Sequence, residues 1–440
     1  MSKKSQIEKR IKRIRRLKKV VYVFESVVGI VVVLYLAIMF IPGLRSAVVK
    51  AAASTEIGQK IISLMAKDTY QEAIFDVDFK KENIKTNNLK YNYSEEYTNF
   101  VLFGVDSRQG EVEASNSDSM LIVCVHNTTG EVKMVSVYRD SLLGIYDKEG
   151  NLNNYFKVNS AYAGGGPEAA INTLNKNMDL DISDYVTVNF AGVAKIIDSL
   201  GGIKVNLTDD EVAQLNQHLR STISSTGDYS PGIKHSGKNI SLNGLQATTY
   251  CRIRKATFYD PNTGEAISND FGRAARQRFV MTQLIAKAKE AGIAQLQDMV
   301  QEVLNNNKKG SKIISTSFSL DEIINMLPII MDFELSGSQG FPSSLTTGTI
   351  SGASYVIPLG IRANVIELHK FLFGEENYEP TEDVNSVSNY VEGFTGYNEF
   401  SAGLNYKGNS KGEEQEEEPT TVMIQAPDTD YDDGGNSEFY

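Results

Sequence analysis

The longest apolar run in the sequence lies near its N-terminus. Val20–Ile41 contains 22 residues with a single charge, Glu25. About 20 apolar residues span the roughly 30 Å of hydrocarbon in a bilayer, whereas the core of a signal peptide has only about 7 to 15 residues. The pattern therefore predicts an uncleaved transmembrane helix over 20–41. The alternative is a signal peptide cleaved near Ala51–Ala53, and both alternatives place the rest of the chain in the same compartment.

From Asn99 onward the hydrophobic pattern changes to short apolar runs that predict strands, with helical patterns between them. Pro167 suits the first turn of a helix. The predicted strands cover 99–105, 119–126, 132–138, Tyr185–Asn189, Ile203–Leu207 and Ser354–Pro358. The predicted helices are Glu168–Met178, Phe190–Leu200, Phe271–Ala291, Gln295–Asn305, Ser319–Pro328 and Ala363–Phe373. This succession indicates a mixed α/β architecture.

Two polar segments flank this region. Residues 46–95 are predicted to form a stalk or accessory segment that begins with a juxtamembrane helix, Ala51–Lys67. At the other end, residues from Lys407 carry ten acidic side chains against two lysines. Because such a composition buries too little apolar surface to offset the entropy of ordering, we expect 376–440 to be a disordered acidic tail.

The net charge of −11 is unevenly distributed. Residues 1–19 hold ten Lys or Arg against one acid, Glu8, so this segment carries about +9 and the remainder about −20. An acidic remainder argues against general nucleic-acid binding, because that requires neutralisation of phosphates. By the positive-inside rule, the basic segment predicts a cytoplasmic N-terminus and an extracytoplasmic domain.

The two cysteines and four histidines add little chemistry. Cys124 and Cys251 both lie in apolar runs that resemble strands, which is typical of small buried hydrophobic residues, although a disulfide stays open. No closely spaced Cys or His pair gives a zinc signature.

Charged residues follow several of the predicted strands. Asp106 ends one apolar run and Asp118 precedes the next, so neighbouring strands would bring the two carboxylates together. Mg²⁺ commonly takes one or two carboxylates and leaves its other positions to water and phosphate. The structural alternative is that both aspartates cap loops. Arg139–Asp140 follows the third predicted strand, at what could be the same sheet edge, and its structural alternative is a surface ion pair.

Two further segments are rich in arginine. In Tyr250–Arg254, a strand would place Arg252 and Arg254 on one face, where a multivalent anion would relieve their repulsion. Asp270 is predicted to cap the helix that follows, with Arg273, Arg276 and Gln277 on one face of its first turns. Cations in the first turn interact unfavourably with the helix dipole, and a bound anion would compensate for this. The alternative is that these arginines are solvated on the surface.

Together these segments resemble the LytR-CpsA-Psr family of wall-polymer ligases over residues 96–375. The matching stretches are GVDSR around Asp106, NSDSM around Asp118, VYRD around Arg139, KVNSAYAGGGP from Lys157, NFAGVAKIIDSLGGIKVN from Asn189, YCRIR at 250–254 and NDFGRAARQRF around Asp270. Two departures affect the loops around the site, because Tyr138 stands where the family often has Pro and Lys255–Asn269 is a long insert.

The resemblance implies a central sheet flanked by helices and an apolar tunnel for a polyprenyl chain. It implies that Asp106 and Asp118 hold Mg²⁺ or Mn²⁺, and that a set of cationic and amide side chains holds pyrophosphate: Arg139, Arg252, Arg254, Arg273, Gln277 and, less centrally, Arg276 and Lys157. The implied reaction moves a glycopolymer from undecaprenyl pyrophosphate to a peptidoglycan hydroxyl, with Asp106 or Asp140 as the base. The alternatives are a polyprenyl-pyrophosphate hydrolase and a non-catalytic protein with a regulatory role or a role in binding lipid pyrophosphate.

Overall fold

The computed structural model describes residues 78–106, 116–291, 295, 296, 299, 300, 302, 312–318, 322 and 333–404. The basic segment, the predicted span at 20–41, the helix at 51–67 and the tail from Lys407 lie outside these residues, as does the predicted helix 319–328 apart from residue 322. Within the described residues, every helix is too short or too polar to cross a membrane.

A mixed sheet of six strands forms the centre of the domain, in the order β11, β6, β1, β2, β3, β12. Parallel pairs join β1 to β6 and β3 to β12, and the other neighbours are antiparallel. The strands are β1 Tyr97–Val105, β2 Ser117–His126, β3 Glu131–Val137, β6 Asp184–Asn189, β11 Ile314–Thr316 and β12 Glu334–Phe341. The predicted central sheet is thus confirmed.

Four two-stranded antiparallel sheets accompany this sheet. They pair β4 Leu142–Tyr146 with β5 Leu152–Lys157, β7 Ile203–Leu207 with β8 Gly237–Leu242, β9 Phe258–Tyr259 with β10 Ala266–Ile267, and β13 Leu345–Ile350 with β14 Ala353–Pro358. In the β7–β8 pair the connection contains a helix. The β9–β10 hairpin lies in the predicted insert, 255–269.

Helices cover both faces of the sheet, so the mixed α/β prediction is confirmed. They are α1 Ser160–Met178, α2 Phe190–Ser199, α3 Asp209–Thr226, α4 Gly244–Tyr250, α5 Asn269–Glu290, α6 Ile361–Phe373 and α7 Glu382–Thr395. Side-chain caps define several helix starts, including complete capping boxes before α3 and α4. Gly165 and Gly166 kink α1, and Pro167 begins its second half as predicted.

The alternation of side chains along β1 separates two cores. Val101, Phe103 and Val105 pack on the face that carries α1, α6 and α7. Phe100 and Leu102 point to the opposite face, where they join a cluster that includes Met281 and Ile285 of α5. We call these the α1 face and the α5 face.

The prediction of a strand at Tyr250–Arg254 is wrong. Tyr250 ends α4, Cys251 is the residue that caps its C-terminus, and turns follow. Asn243 and Gln246 form the capping box that starts this helix, and all seven residues of α4 are buried. The predicted segment therefore covers only the last residue of a buried helix and the turn that ends it. Cys124 does lie in a strand, and both cysteines are free thiols.

The predicted domain boundaries at 96 and 375 are too narrow. The valines of α7, Val384, Val387 and Val391, are buried in the α1-face core, which contradicts disorder from 376. Asp179 accepts hydrogen bonds from the backbone N and the hydroxyl of Thr381 (2.8 and 2.7 Å) and from Asn87 Nδ2 (2.6 Å). Segments from both sides therefore join one domain, because buried polar groups fix them to the end of α1.

We expect Val387→Ala to lower the free energy of unfolding by about 2 kcal/mol, because it deletes two buried methyl groups and leaves a cavity. Denaturant unfolding followed by circular dichroism measures this change. Ser386→Ala, at an exposed position of the same helix, is the matched control and should have little effect. Equal stability of both variants would show that α7 does not belong to the folded domain.

Candidate active site

Four of the central strands bring their polar termini to one end of the sheet, which we call the site end. Asp106 follows β1, Asp118 lies near the start of the antiparallel neighbour β2, Arg139 and Asp140 follow β3, and Asn189 ends β6. The predicted pairing of the first two strands is confirmed. Strand topology therefore gathers residues that are far apart in sequence.

A β-bulge separates Asp118 from the regular ladder. Val105 pairs with Ser117 and Gly104 pairs with Ser119, so Asp118 has no partner of its own on β1. Bulges redirect side chains and are common beside active sites. Here the Asp118 carboxylate accepts a hydrogen bond from Arg139 Nη1 at 2.6 Å.

Asp270 is the carboxylate that joins three arginines, and the sequence interpretation treated it only as a helix cap. Its Oδ2 lies 2.8 Å from Arg273 Nη2 and 3.6 Å from Arg139 Nε, while its Oδ1 lies 3.2 Å from Arg254 Nε. Ser268 occupies the capping position instead, which leaves Asp270 inside the first turn. One sequence signal could have revealed this role: Asp270 stands three residues before an arginine at the start of a predicted helix.

The electrostatics of Arg139 and Arg273 differ. Burial alone would lower the pKa of Arg139, but Asp270 and Asp118 outweigh it and raise that pKa above its ordinary value. Burial, reinforced by the neighbouring Arg139 and Arg254, lowers the pKa of Arg273 to about 10 despite Asp270. Arg273 stays cationic at neutral pH, but its charge is incompletely compensated, which favours an added anion.

Two donors in this cluster have no hydrogen-bond acceptor among the described residues. The Nε atoms of Arg139 and Arg273 are both buried and unsatisfied there. Arg139 Nε does lie 3.4 Å from an oxygen of Asp140, outside hydrogen-bond geometry. Unsatisfied buried donors cost free energy, and phosphate oxygens are suitable acceptors for them.

Asp140 and Lys157 extend the cluster toward the β4–β5 hairpin. Lys157 Nζ lies 3.0 Å from Asp140 Oδ1, and both side chains are about one quarter exposed. Asp140 therefore lies between two cations, Lys157 and Arg139.

An apolar cavity of about 360 Å³ opens beside this cluster on the α5 face. Aliphatic and aromatic side chains of the sheet and of two helices form most of its wall, among them Leu102, Leu121, Val186, Val193, Ile196, Leu284, Ile285 and Phe333. The few polar lining residues include Asp118, Ser119 and Gln277. Because Asp118 also contacts Arg139, the cavity and the charged cluster share a boundary.

The remaining predicted anion ligands lie around that boundary. Gln277 Oε1 accepts a hydrogen bond from Ser119 at 2.9 Å. Arg252 lines the cavity, stacks over the ring of Phe190 at 4.5 Å, and donates through Nη1 to Thr222 Oγ1 at 2.8 Å. Arg254 reaches the cluster through Asp270. Sequence reasoning assigned no role to Ser119 or Phe190, whose types are common in any strand or helix.

Arg276 is not brought together with the other arginines. It is fully buried, and its Nε and Nη2 atoms donate to Glu211 Oε1 at 3.1 and 2.8 Å. It also donates to the carbonyl oxygens of Ile253 and Ala256. Because residues are about 100° apart around a helix, Arg276 and Gln277 flank the direction of Arg273 on opposite sides and face different neighbours.

The carboxylates at the site end suit a hard divalent cation. Asp106 Oδ1 is buried and has no hydrogen-bond partner among the described residues, while Asp118 lies on the adjacent strand. No group of three or more His, Cys, Asp or Glu side chains arranged for metal binding occurs in that part of the chain. Two carboxylates with water and phosphate oxygens are nevertheless a common donor set for Mg²⁺.

Fold and site together define an α/β domain suited to a ligand with a long apolar part and an anionic head. The model described as the LytR_cpsA_psr family matches residues 64–330, more than half of the chain. The protein therefore belongs to this family, as the charged motifs predicted.

Individual relatives show the same likeness. The polyisoprenyl-teichoic acid–peptidoglycan teichoic acid transferase TagU of Bacillus licheniformis is 32% identical over 209 residues, which cover 47% of this chain and 58% of that protein. The protein of the same name from Enterococcus faecalis is 27% identical over 317 residues, 71% of this chain and 83% of that protein. A crystal structure of a Streptococcus agalactiae protein has a TM-score of 0.50 at 23% identity, covers 67% of this chain and 93% of that chain, and supports the fold alone.

The partners of Arg276 predict a structural role for its buried charge. We expect Glu211→Gln to lower the free energy of unfolding by about 3 kcal/mol, because it leaves the guanidinium without a counter-charge, while glutamine can still complete the capping box of α3. Asp210→Asn, at the neighbouring exposed position, is the control. Unchanged stability together with lost affinity for inorganic pyrophosphate would instead place Arg276 in the anion site.

Proposed function

We propose that this protein is a phosphotransferase that moves a glycopolymer from a polyprenyl-pyrophosphate carrier to a hydroxyl of peptidoglycan. The glycopolymer is a teichoic acid, a capsule or another secondary wall polysaccharide. The observation that carries the proposal is the apolar cavity whose boundary is shared with buried arginines. The names of the TagU relatives support the same class of reaction.

The two parts of the site match the two parts of such a carrier. An isoprenoid chain gains free energy from the apolar wall in proportion to the surface that it buries, roughly 25 cal/mol per Å². The pyrophosphate, in turn, suits the donors of Arg139 and Arg273 and the side chains of Arg252, Arg254 and Gln277 at the cavity boundary. Guanidinium groups bind phosphates in bidentate fashion, which fixes the position of the head group.

In the proposed reaction, the acceptor oxygen attacks the phosphorus that bears the glycopolymer. A new P–O bond forms, the P–O bond to the polyprenyl phosphate breaks, and the hydroxyl proton passes to Asp140 or Asp106. The products are a phosphodiester and polyprenyl phosphate. The arginines stabilise negative charge that builds on the leaving phosphate, and energy comes from the pyrophosphate bond, so no nucleotide is needed.

A divalent cation, Mg²⁺ or Mn²⁺, completes the proposed site, with Asp106 and Asp118 as its protein ligands. When bound, such an ion polarises phosphate oxygens and neutralises their charge. The predicted transmembrane segment at 20–41 would place the domain at the outer membrane surface, where both lipid carrier and wall are present. Tethering there raises the effective concentration of both substrates.

The arginine variants test the site assignment. We expect Arg139→Ala and Arg252→Ala each to reduce transfer by about 100-fold or more, because each removes a cation from the developing phosphate charge. Transfer of a radiolabelled glycopolymer from its lipid pyrophosphate to peptidoglycan oligomers provides the measurement, with thermal unfolding as a check on the fold. Arg362→Ala, which removes an arginine paired with Glu392 on other helices, is the control. Near-normal transfer by both site variants would refute the assignment.

The same assay separates transfer from hydrolysis. Polymer joined to muramic acid supports transfer. Release of free phosphorylated glycan alone supports a hydrolase, and lipid binding without turnover supports a binding or regulatory protein.

The cation prediction has its own test. We expect chelation of divalent cations to abolish transfer and Mg²⁺ to restore it, and we expect Asp106→Asn to need at least tenfold more Mg²⁺ for half-maximal rate, because a neutral amide is a weaker ligand for a hard cation. Titration of the transfer rate against Mg²⁺ measures this difference, with Asp147→Asn, at a partly buried position in the turn between β4 and β5, as the control. Full activity of the wild type in excess chelator would exclude a metal requirement.

A further inference from the structure

Strand β5 presents an unusual exposed face beside the site. Asn154 and Phe156 lie on the same face of the strand, because they pair with Ile145 and Leu143, and both are exposed. The Phe156 side chain retains 42% of its accessible surface. Within the described residues, β5 pairs only with β4, so its other side is an open edge. An exposed aromatic ring with an amide beside it offers a flat apolar surface together with a hydrogen-bonding group.

A series of contacts connects Phe156 to the charged cluster. The ring of Phe156 meets the ring of Tyr355 edge to face at 5.9 Å, and Lys157 Nζ lies 5.2 Å from the same Tyr355 ring. Lys157 in turn lies 3.0 Å from Asp140, which lies 3.4 Å from Arg139. Phe156 is therefore part of one surface that continues into the site end of the sheet.

Side-chain contacts anchor the hairpin to the rest of the domain. Tyr155 stacks on Tyr390 of α7 with ring centroids 3.6 Å apart, and Leu143, which pairs with Phe156, is fully buried. A preformed surface binds a ligand with a smaller entropic cost than a mobile one.

The position of the β4–β5 hairpin relative to the apolar cavity indicates which substrate this surface binds. The cavity lies on the α5 face, whereas the β4–β5 hairpin packs against α1 on the other face. In phosphoryl transfer the attacking and leaving oxygens lie roughly in line on opposite sides of phosphorus. A polyprenyl phosphate that leaves into the cavity therefore requires an acceptor that arrives from the Asp140 side, where β5 lies.

We propose that the exposed face of β5 is a binding subsite for the acceptor glycan of peptidoglycan. Phe156 stacks against the C–H face of an N-acetylated sugar ring, and Asn154 on the same strand face hydrogen-bonds to its hydroxyl or acetamido groups. This inference rests on the proposed function, because the direction of in-line attack identifies the occupant as acceptor. An aromatic ring supplies apolar area at low conformational cost.

The binding test uses the full chain in detergent micelles and soluble oligomers of N-acetylglucosamine and N-acetylmuramic acid as the probe, measured by calorimetry. We expect Phe156→Ala and Asn154→Ala each to weaken binding by about tenfold, and Phe156→Trp to retain it, because tryptophan also offers a flat ring. Tyr229→Ala is the matched control, since Tyr229 is 84% exposed on the loop after α3. Equal affinity of Phe156→Ala and wild type would overturn the subsite.

Kinetics separate this inference from the proposed function. Phe156→Ala should raise the KM for the acceptor while leaving the affinity for the lipid-pyrophosphate donor and any hydrolysis by water unchanged. Weaker donor binding with normal acceptor binding would overturn the assignment to the acceptor. If no transfer occurs at all, loss of oligomer binding in Phe156→Ala would still support a glycan subsite while the proposed function fails. Normal transfer by Phe156→Ala with an unaltered KM for the acceptor would support the proposed function and refute the subsite.

Discussion

The site depends on burying several guanidinium groups next to an apolar cavity, and Asp270 makes this possible. Without carboxylates, the desolvation and mutual repulsion of Arg139, Arg254 and Arg273 would destabilise the site end of the sheet. Asp270 contacts all three within 3.6 Å. Burial, together with Arg139 and Arg254, lowers the pKa of Arg273 although Asp270 lies beside it, so its charge is only partly compensated. In the proposed reaction, the phosphates of the lipid carrier complete this compensation.

Arg276 shows that residue type and spacing alone do not define a role. It lies one turn from Arg273 on the same helix, yet Glu211 and two carbonyl oxygens satisfy it in the interior. The difference is one of direction around the helix axis, since the α5 face of the sheet lies on one side of α5 and helix α3 on the other. A buried cation whose donors are already bound by protein acceptors stabilises the fold and has no donors left for a ligand.

The two faces of the sheet carry different parts of the site. The apolar cavity and Arg252 belong to the α5 face, whereas Lys157 and the exposed ring of Phe156 belong to the hairpin on the α1 face. The charged residues at the strand ends lie between them. Such an arrangement suits a reaction in which an insoluble lipid and a bulky hydrophilic acceptor must reach one phosphorus atom from different sides.

Local sequence patterns predicted the positions of strands β1, β2, β3, β6, β7 and β14, the helix after Pro167, and most of the charged residues at the site, because hydrophobic periodicity and strand-terminal charges are local properties. Tertiary structure decided the rest. A buried helix ends at Tyr250, and a turn follows where a strand was predicted. The bulge at Asp118 turned its side chain toward Arg139, and the Asp179 contacts brought residues beyond 375 into the domain. These outcomes depend on which surfaces meet across long sequence separations, and local patterns do not encode them.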